Sequence, residues 1–453
     1  MPLPLEGLRI LDSTTMIAMP YAMALMADMG AEVIKIDNHT SPPFPAAIHP
    51  DLTPGTKHWE WEGSHQTLHR NKLDISLNLK LPEAVSVFKD LVKVSDIVVE
   101  NNRPGSMERL GLDYKTLKKI KPDLIYLSNT GFGHSGPWKS FPGIGRMMEL
   151  TCGLSQFTGY HDEGPRRVGY AFFDPHVGWT SIFAILAALL YRHRTGKGQW
   201  IDLSMYQIGT ACMGDAILDF IANQRNGKPM GNRHSYLAPH GVYPCKKDNT
   251  WIAITTLNES QWKSLCIEMG NPAWTKHKEF SDNYHRWSNQ DKLDEFIGKW
   301  TKNFEDLELM NNLQAHGITA AAVLNSKQIL LNPQVKDRGL FERVLHSPDS
   351  DLGEKLYIGR PWKMSLTPCS IRKPAPGMGE HNNYILKDIL GRNEEELTRL
   401  YEIGALGTKP LDQKATVNNL PWKQQLDLGI IAGYDPDYKD VLNLKHNNRK
   451  EST

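Results

Sequence analysis

LRILDSTTMIAMPYAMALMADMGAEVIKI, residues 8–36, reads as strand, helix, strand. Leu8 to Leu11 is a short run of apolar and β-branched residues, and Glu32 to Ile36 is a second. Between them a Met- and Ala-rich segment begins near Pro20 and stops at Gly30, the punctuation expected of a helix. Such a βαβ unit implies parallel strands, because only a helical crossover brings the second strand back in the same direction.

The pattern recurs downstream. A helix with Pro82 in its first turn runs to about Val94 and precedes the strand Ile97 to Val99; the helix Tyr114 to Ile120 precedes the strand Leu124 to Ser128. Helices alternating with short apolar strands predict a Rossmann-like α/β domain, a mainly parallel sheet covered on both faces. An apolar helix from Val177 to about Arg194, then TGKGQ and the strand Trp200 to Leu203, closes this part of the chain. The stretch from about Asn223 to Pro239 is rich in Gly, Asn, Pro and cations, as linkers are, and places a boundary between a large domain at 1–225 and a small one at 226–335. The small domain reads as α/β: strand Trp251 to Thr256, helix Ser260 to Met269, amphipathic helices across Gln290 to Gln314, strand Thr319 to Leu324. Beyond Pro333 come loops, a strand near Phe341 to Leu345 and a helix near Tyr384 to Ile389; residues 407–453 are polar and weakly periodic, an arm.

Composition narrows the function. Among 453 residues, 52 Lys and Arg stand against 51 Asp and Glu, so no overall field favours nucleic acid or an acidic membrane, and an anionic ligand must be met by local cations. The five cysteines, Cys152, Cys212, Cys245, Cys266 and Cys369, show no paired or CxxC spacing, which argues against a disulfide framework or a zinc site and suits the cytoplasm. The N-terminus lacks a cationic region followed by an apolar stretch, so no signal peptide is expected. The most apolar run, Val177 to Tyr191, falls short of the roughly 20 residues a membrane span needs and is expected to be a buried helix.

Three motifs invite chemistry. Gly131-Phe-Gly133-His-Ser-Gly136 matches a dinucleotide fingerprint literally, but Pro137 and Trp138 follow instead of a helix, so a tight loop is the better reading. In Phe172-Phe173-Asp174-Pro175 the Asp precedes Pro and an apolar helix, predicting an N-cap with Pro at the first helical position. A carboxylate there is compatible with nucleophilic work, since the helix dipole keeps it ionised. Asn101-Asn102-Arg103-Pro104-Gly105, with Arg109, follows a strand where open α/β sheets bind ligands, and the two arginines suit phosphate oxygens. Lys72 and Lys139 carry the same potential, set against the plainer reading of solvated surface cations.

With these segments in place the chain resembles the class III CoA-transferases, the family of formyl-CoA and carnitine-CoA transferases and of the α-methylacyl-CoA racemases. The resemblance rests on LEGLRILD, MADMGAEVIKID, NKLDISLNLK, VVENNRPGSMERLGLDY, GFGHSGPW, the long stretch from VGYAFFDPHVG to QWIDLSM, and KPAPGMGEHN, in that order and spacing. It implies a large Rossmann-like domain to which residues 336–406 return, and subunits interlocked as two rings, either a homodimer or a heteromer with a related chain. The family's VGxxxxDxxxG segment falls on Val168 to Gly178 and selects Asp174 as the nucleophile. Family CoA contacts map onto Ala18, Asn71, Lys72, Asn101, Arg103, Arg109 and Lys139.

The resemblance implies CoA transfer from an acyl-CoA donor to a carboxylic acid through an aspartyl anhydride and an aspartyl-CoA thioester. Coenzyme A is then substrate, with no permanently bound cofactor and no metal. The chain departs from the family at Met19, where Gly is common, and at Asn38 and His39, where an Arg is common. A family Gln is replaced by Glu149, a candidate for the acid pocket. The racemases' His corresponds to Ile144 and their glycine run to Pro175-His176-Val177, so racemisation is the weaker alternative; a non-catalytic subunit is another, against which Asp174 is retained. GRMMELTCGLSQFTGY and GNRHSYLAPHGVYPC look most like family members acting on bulky or aromatic acids, such as succinyl-CoA:benzylsuccinate CoA-transferase subunits.

Overall fold

The computed structural model describes residues 2–41, 57–160, 162–169, 171–347, 350, 352–412 and 421–444. Six strands, β1 (Arg9–Ser13), β2 (Glu32–Asp37), β3 (Leu73–Ser76), β4 (Ile97–Glu100), β5 (Ile125–Thr130) and β6 (Trp200–Ser204), form one parallel sheet in the order β3-β2-β1-β4-β5-β6. Leu11 pairs with Ile34 on one side and with Val98 on the other, so the strand order reverses between β1 and β4. In doubly wound sheets that reversal opens a ligand crevice at the strands' carboxyl ends.

Around the sheet run α1 (Ala18–Asp28), α2 (Gly63–His69), α3 (Pro82–Lys93), α4 (Ser106–Leu110), α5 (Tyr114–Ile120), α6 (Gly145–Thr151) and α7 (Phe173–Thr195). Strand alternation sorts the core into two layers. Ile10, Val33, Ile97, Val99, Ile125 and Leu127 pack with α1 and α7. Leu11, Ile34, Ile75, Val98 and Tyr126 pack with Val87, Phe88 and Leu91 of α3 and with Met107 and Leu117 of α4 and α5. Every residue of α1 except Tyr21 is buried, which fits a sequence that is apolar but for Tyr21 and the paired Asp28.

The expectation of a buried helix of some fifteen residues at Val177 to Tyr191 is corrected. The helix α7 spans 23 residues, long and apolar enough to cross a membrane by length and composition alone. After Phe173 the buried residues are one stripe: Val177, Gly178, Ser181, Ile182, Ile185 and Ala188. Their spacing of one, three or four residues is a single helical face, seated on α1, where a Cβ at Gly178 would meet the Ala18 carbonyl at 3.0 Å. Trp179, Phe183, Leu186, Leu190 and Tyr191 are exposed, Phe183 by 75%.

The chain divides into two compact units. Unit 1 combines Met1–Cys152, Gly169–Gly214 and Lys336–Thr453; unit 2 combines Gly153–Val168 with Asp215–Val335. Within unit 2, β7 (His240–Pro244), β8 (Trp251–Thr255) and β9 (Thr319–Ala322) form an antiparallel sheet over a core of Trp262, Leu265, Phe280, Leu293, Ile297, Leu309 and Leu313. Within unit 1 the returning chain forms a hairpin of β10 (Phe341–Leu345) and β11 (Glu354–Ile358), then runs along α1 and β3. The fully buried Asp28 carboxylate accepts hydrogen bonds from Arg70 at 3.0 Å, Arg360 at 3.0 Å and Asn71 at 2.7 Å, tying that return to α1. In the C-terminal arm, Arg343 donates to the carbonyls of Leu442 and Asn443 at 2.8 and 2.7 Å.

Candidate active site

Phe172 already has helical backbone angles, so α7 begins at Phe173 and Asp174 is its second residue. No side chain caps this end, which corrects the N-cap assignment. The Asp174 side chain instead points to α6. An ideal Cβ on Gly145 would lie 2.5 Å from Asp174 Oδ1 and 3.0 Å from Oδ2, so the carboxylate rests on bare backbone that only glycine provides. One turn along α6, Glu149 is buried, with 1% of its surface exposed.

Burial raises the Asp174 carboxyl to about 6; the Glu149 charge pushes in the same direction and the Arg146 charge against it. The carboxyl thus lies above the usual aspartate range, against the expectation that the helix dipole keeps it ionised, and burial is the largest cause. Ala18, Met148, Phe173, Val177 and Met205 form a small apolar cluster under this end of α7, which brings Ala18, α6 and the nucleophile candidate together.

The remaining predicted residues lie on loops following β4 and β5, on α4 in the case of Arg109, or inside the fold. The Asn101 amide receives the Thr15 N–H at 2.9 Å and donates to the Thr15 carbonyl at 2.8 Å, clamping the loop after β4 to the loop after β1. Arg103 and Arg109 are exposed, and Arg109 Nη2 donates to Ser106 Oγ at 3.2 Å. Lys139 is exposed on the loop after β5. In that loop the GxGxxG match opens no helix; the Gly133 N–H bonds Thr130 Oγ1 at 2.8 Å and the His134 N–H meets the Asp202 carboxylate at 3.1 Å, a turn as expected.

Asn71 and Lys72 are committed inside the fold. Asn71 Oδ1 accepts from the N–H groups of Arg372 and Lys373, at 2.7 and 2.9 Å, while its Nδ2 donates to Asp28. The Lys72 ammonium, fully buried, pairs with Asp12 at 2.8 Å and donates to the Pro20 carbonyl at 3.0 Å. His39, at the position where the family often has Arg, is also turned inward, with Nδ1 3.0 Å from Ser76 Oγ.

Two features escaped the sequence reading. Gly145 and Arg146 next to Asp174 carried no local signal beyond their nearness to Glu149. A cavity of about 370 Å³ at the carboxyl ends of β1 and β2, lined among others by Met16, Lys35, Asp37, Trp59 and His65, gathers residues from segments far apart in sequence.

Comparison with known proteins agrees with this architecture. The model of CoA-transferase family III matches residues 5–382. Among curated relatives, the succinyl-CoA–D-citramalate CoA-transferase of Chloroflexus aurantiacus is 31% identical over 88% of this chain and 97% of its own length. The succinyl-CoA–L-malate CoA-transferase beta subunit of the same organism is also 31% identical, over 88% and 97%. Among solved structures, a CAIB/BAIF family protein from Brucella suis superposes with a TM-score of 0.76 at 28% identity, covering 86% of this chain and all of that one. This chain is therefore a CoA-transferase of family III.

Proposed function

We propose that the protein transfers CoA from succinyl-CoA, or a similar acyl-CoA, to a dicarboxylic acid, with Asp174 as covalent carrier. The observation that carries this reading is the Asp174 carboxylate, half-buried and set on the bare backbone of Gly145 in a chain of this family. The named acids of the two relatives, succinate with citramalate or malate, are all dicarboxylic, which supports the substrate class. Exposed Ile144 and Met147 flank Gly145 and exposed Phe172 precedes α7, so apolar bulk on the acceptor, as in an aromatic-substituted succinate, has matching surfaces.

In the proposed course Asp174 attacks the donor thioester carbonyl, the C–S bond breaks, and CoA leaves as thiolate. The thiolate attacks the aspartyl carbonyl of the resulting anhydride, releasing the donor acid and leaving aspartyl-CoA. The acceptor carboxylate displaces the thiolate to form a second anhydride; the thiolate then attacks the acceptor's carbonyl and regenerates the Asp174 carboxylate. Thioester energy is kept in enzyme-bound acyl groups throughout. Arg103, Arg109 and Lys139 would meet the CoA phosphates as charge-assisted donors, with Ala18 and Asn101 shaping the crevice. Ile144 offers no second base, which weighs against racemisation.

The subunit is proposed to work as a dimer, with itself or with a related chain, because α7 leaves a large apolar face bare and one relative is named as a subunit. The test of the mechanism is incubation with succinyl-CoA alone followed by peptide mass spectrometry: a CoA adduct on the Asp174 peptide, lost in Asp174→Asn together with transfer, is expected. An adduct elsewhere, or near-normal transfer by Asp174→Asn, overturns it.

A further inference from the structure

The helix α6 turns Met148 and Glu149 into the fold and shows its other flank to solvent. On that flank, Met147 and Leu150 are exposed by 49 and 48%, and Ile144, the residue before the helix, by 51%. Arg146 is exposed among them. It is a guanidinium set in an apolar surface, one residue after the glycine whose bare backbone carries the Asp174 carboxylate. Consecutive Cα atoms are about 3.8 Å apart, so a side chain as long as arginine's reaches the space next to the reacting carboxyl. Electrostatics agree with this placement: of the two charges that act on Asp174, Arg146 is the cation and Glu149 the anion.

An acid joined to Asp174 through one carboxyl group and carrying a second brings a negative charge to this place, where Glu149 repels it. Such a charge needs a cation within reach. Other cations of the same unit are placed elsewhere. Arg70 and Lys72 are buried against Asp28 and Asp12. Arg192, paired with Asp96 at 2.9 Å, stands five turns farther along α7 than Asp174, roughly 27 Å away. Arg103 lies on the loop after β4 and Arg109 on α4. Arginine suits the task by its chemistry, since its planar fork offers a carboxylate two parallel N–H donors.

We infer that Arg146 receives the second carboxylate of the acid carried on Asp174, and that it sets a preference for dicarboxylic over monocarboxylic acceptors, with Ile144 and Met147 against the carbon chain. The inference rests on the CoA-transferase reading with Asp174 as carrier and adds to it the residue that reads the substrate class. Because donor and acceptor acids occupy the same carrier in turn, one contact serves both.

Transfer from succinyl-CoA to isotopically labelled succinate and to labelled butyrate, acids of equal chain length that differ by one carboxylate, tests it in the full-length protein and in Arg146→Met and Arg146→Lys. The quantity read is kcat/KM for the acceptor: that half-reaction starts from aspartyl-CoA, so the ionisation of the free Asp174 carboxyl does not enter it. The wild type is expected to prefer succinate by roughly ten- to a hundredfold, the worth of one charge-assisted contact. Arg146→Met is expected to lose that preference through the succinate value, with the butyrate value kept, and Arg146→Lys to retain part of it. A Met variant that keeps the wild-type ratio or lowers both acids alike, a Lys variant no better than Met, or a wild type that transfers to both acids without preference overturns the assignment alone. A wild type that transfers to neither acid, or an Asp174→Asn protein that transfers at a near-normal rate, overturns the reading on which it rests.

Discussion

At Asp174 three influences meet in one carboxyl: burial and the Glu149 charge raise its pKa, and Arg146 opposes them, with a net value of about 6. A carboxylic acid is a poor nucleophile when protonated, so kcat/KM for the donor thioester should fall about tenfold per pH unit below 6 and level off above it. Glu149→Gln removes a like charge and should move that midpoint to lower pH; Arg146→Met removes an opposite one and should move it higher. A midpoint near the ordinary aspartate value, unmoved by either change, would show that Asp174 does not limit the reaction. Gly145→Ala separates positioning from stability. The new Cβ would meet the end of a movable side chain rather than backbone, so the carboxylate should swing aside, lowering kcat by roughly ten- to a hundredfold with little change in melting. Asp174 could be proposed from the sequence because its motif is local, whereas Gly145 could not, since nothing in GRMMEL reveals what packs on its first residue. Lys72 shows the reverse: a basic residue beside Asn71 suits a phosphate by type, yet the fold draws it inside to Asp12, where burial lowers its pKa to about 8.

Among the elements, β4 ends on a carboxyl that the strand pattern alone would not predict. Glu100 is 1% exposed, and burial raises its pKa to about 7, offset in part by hydrogen bonds from Ser128 and the Asn102 N–H. With the folded value above the unfolded one, the folded state binds the proton more tightly; that contribution is complete below about pH 4.5 and is lost as pH rises through 7. The loss amounts to roughly 3 kcal/mol. Glu100→Gln should therefore gain stability relative to wild type between pH 5 and pH 8 in denaturant titrations, and a constant difference across that range would refute the assignment. The alternation of helices and strands was readable because each element carries its own period. The bare face of α7 was not: an apolar residue looks the same whether α1 or solvent lies over it, and among the described residues Phe173 and the stripe from Val177 to Ala188 are the buried part of the helix.

For the whole molecule, that bare face predicts assembly. Light scattering at micromolar concentration should give at least the dimer mass, and Phe183→Asp, placing a charge in the face, should shift the protein toward monomer or out of solution. A well-folded wild-type monomer would contradict this. Another feature of the whole chain is that both units are discontinuous. The segment Gly153–Val168 leaves unit 1 between Glu149 and Asp174 and is held in unit 2, where Asn232 Nδ2 bonds Tyr160 Oη at 3.1 Å and the Gly231 N–H bonds the Gly159 carbonyl at 2.9 Å. The linker-like stretch after Asn223 lies inside unit 2, whose second segment already starts at Asp215, and the earlier crossing at Gly153 has no such composition.

By itself the sequence determined the parallel α/β architecture and the family, and singled out the residue proposed to carry the acyl group, because these depend on periodicity and on motifs within short windows. Tertiary structure alone decided which cations are exposed and which are buried, and that burial is the largest influence on the Asp174 carboxyl. Those properties depend on distances between segments tens to hundreds of residues apart, as between Asp28 and Arg360, and on how much water their packing excludes.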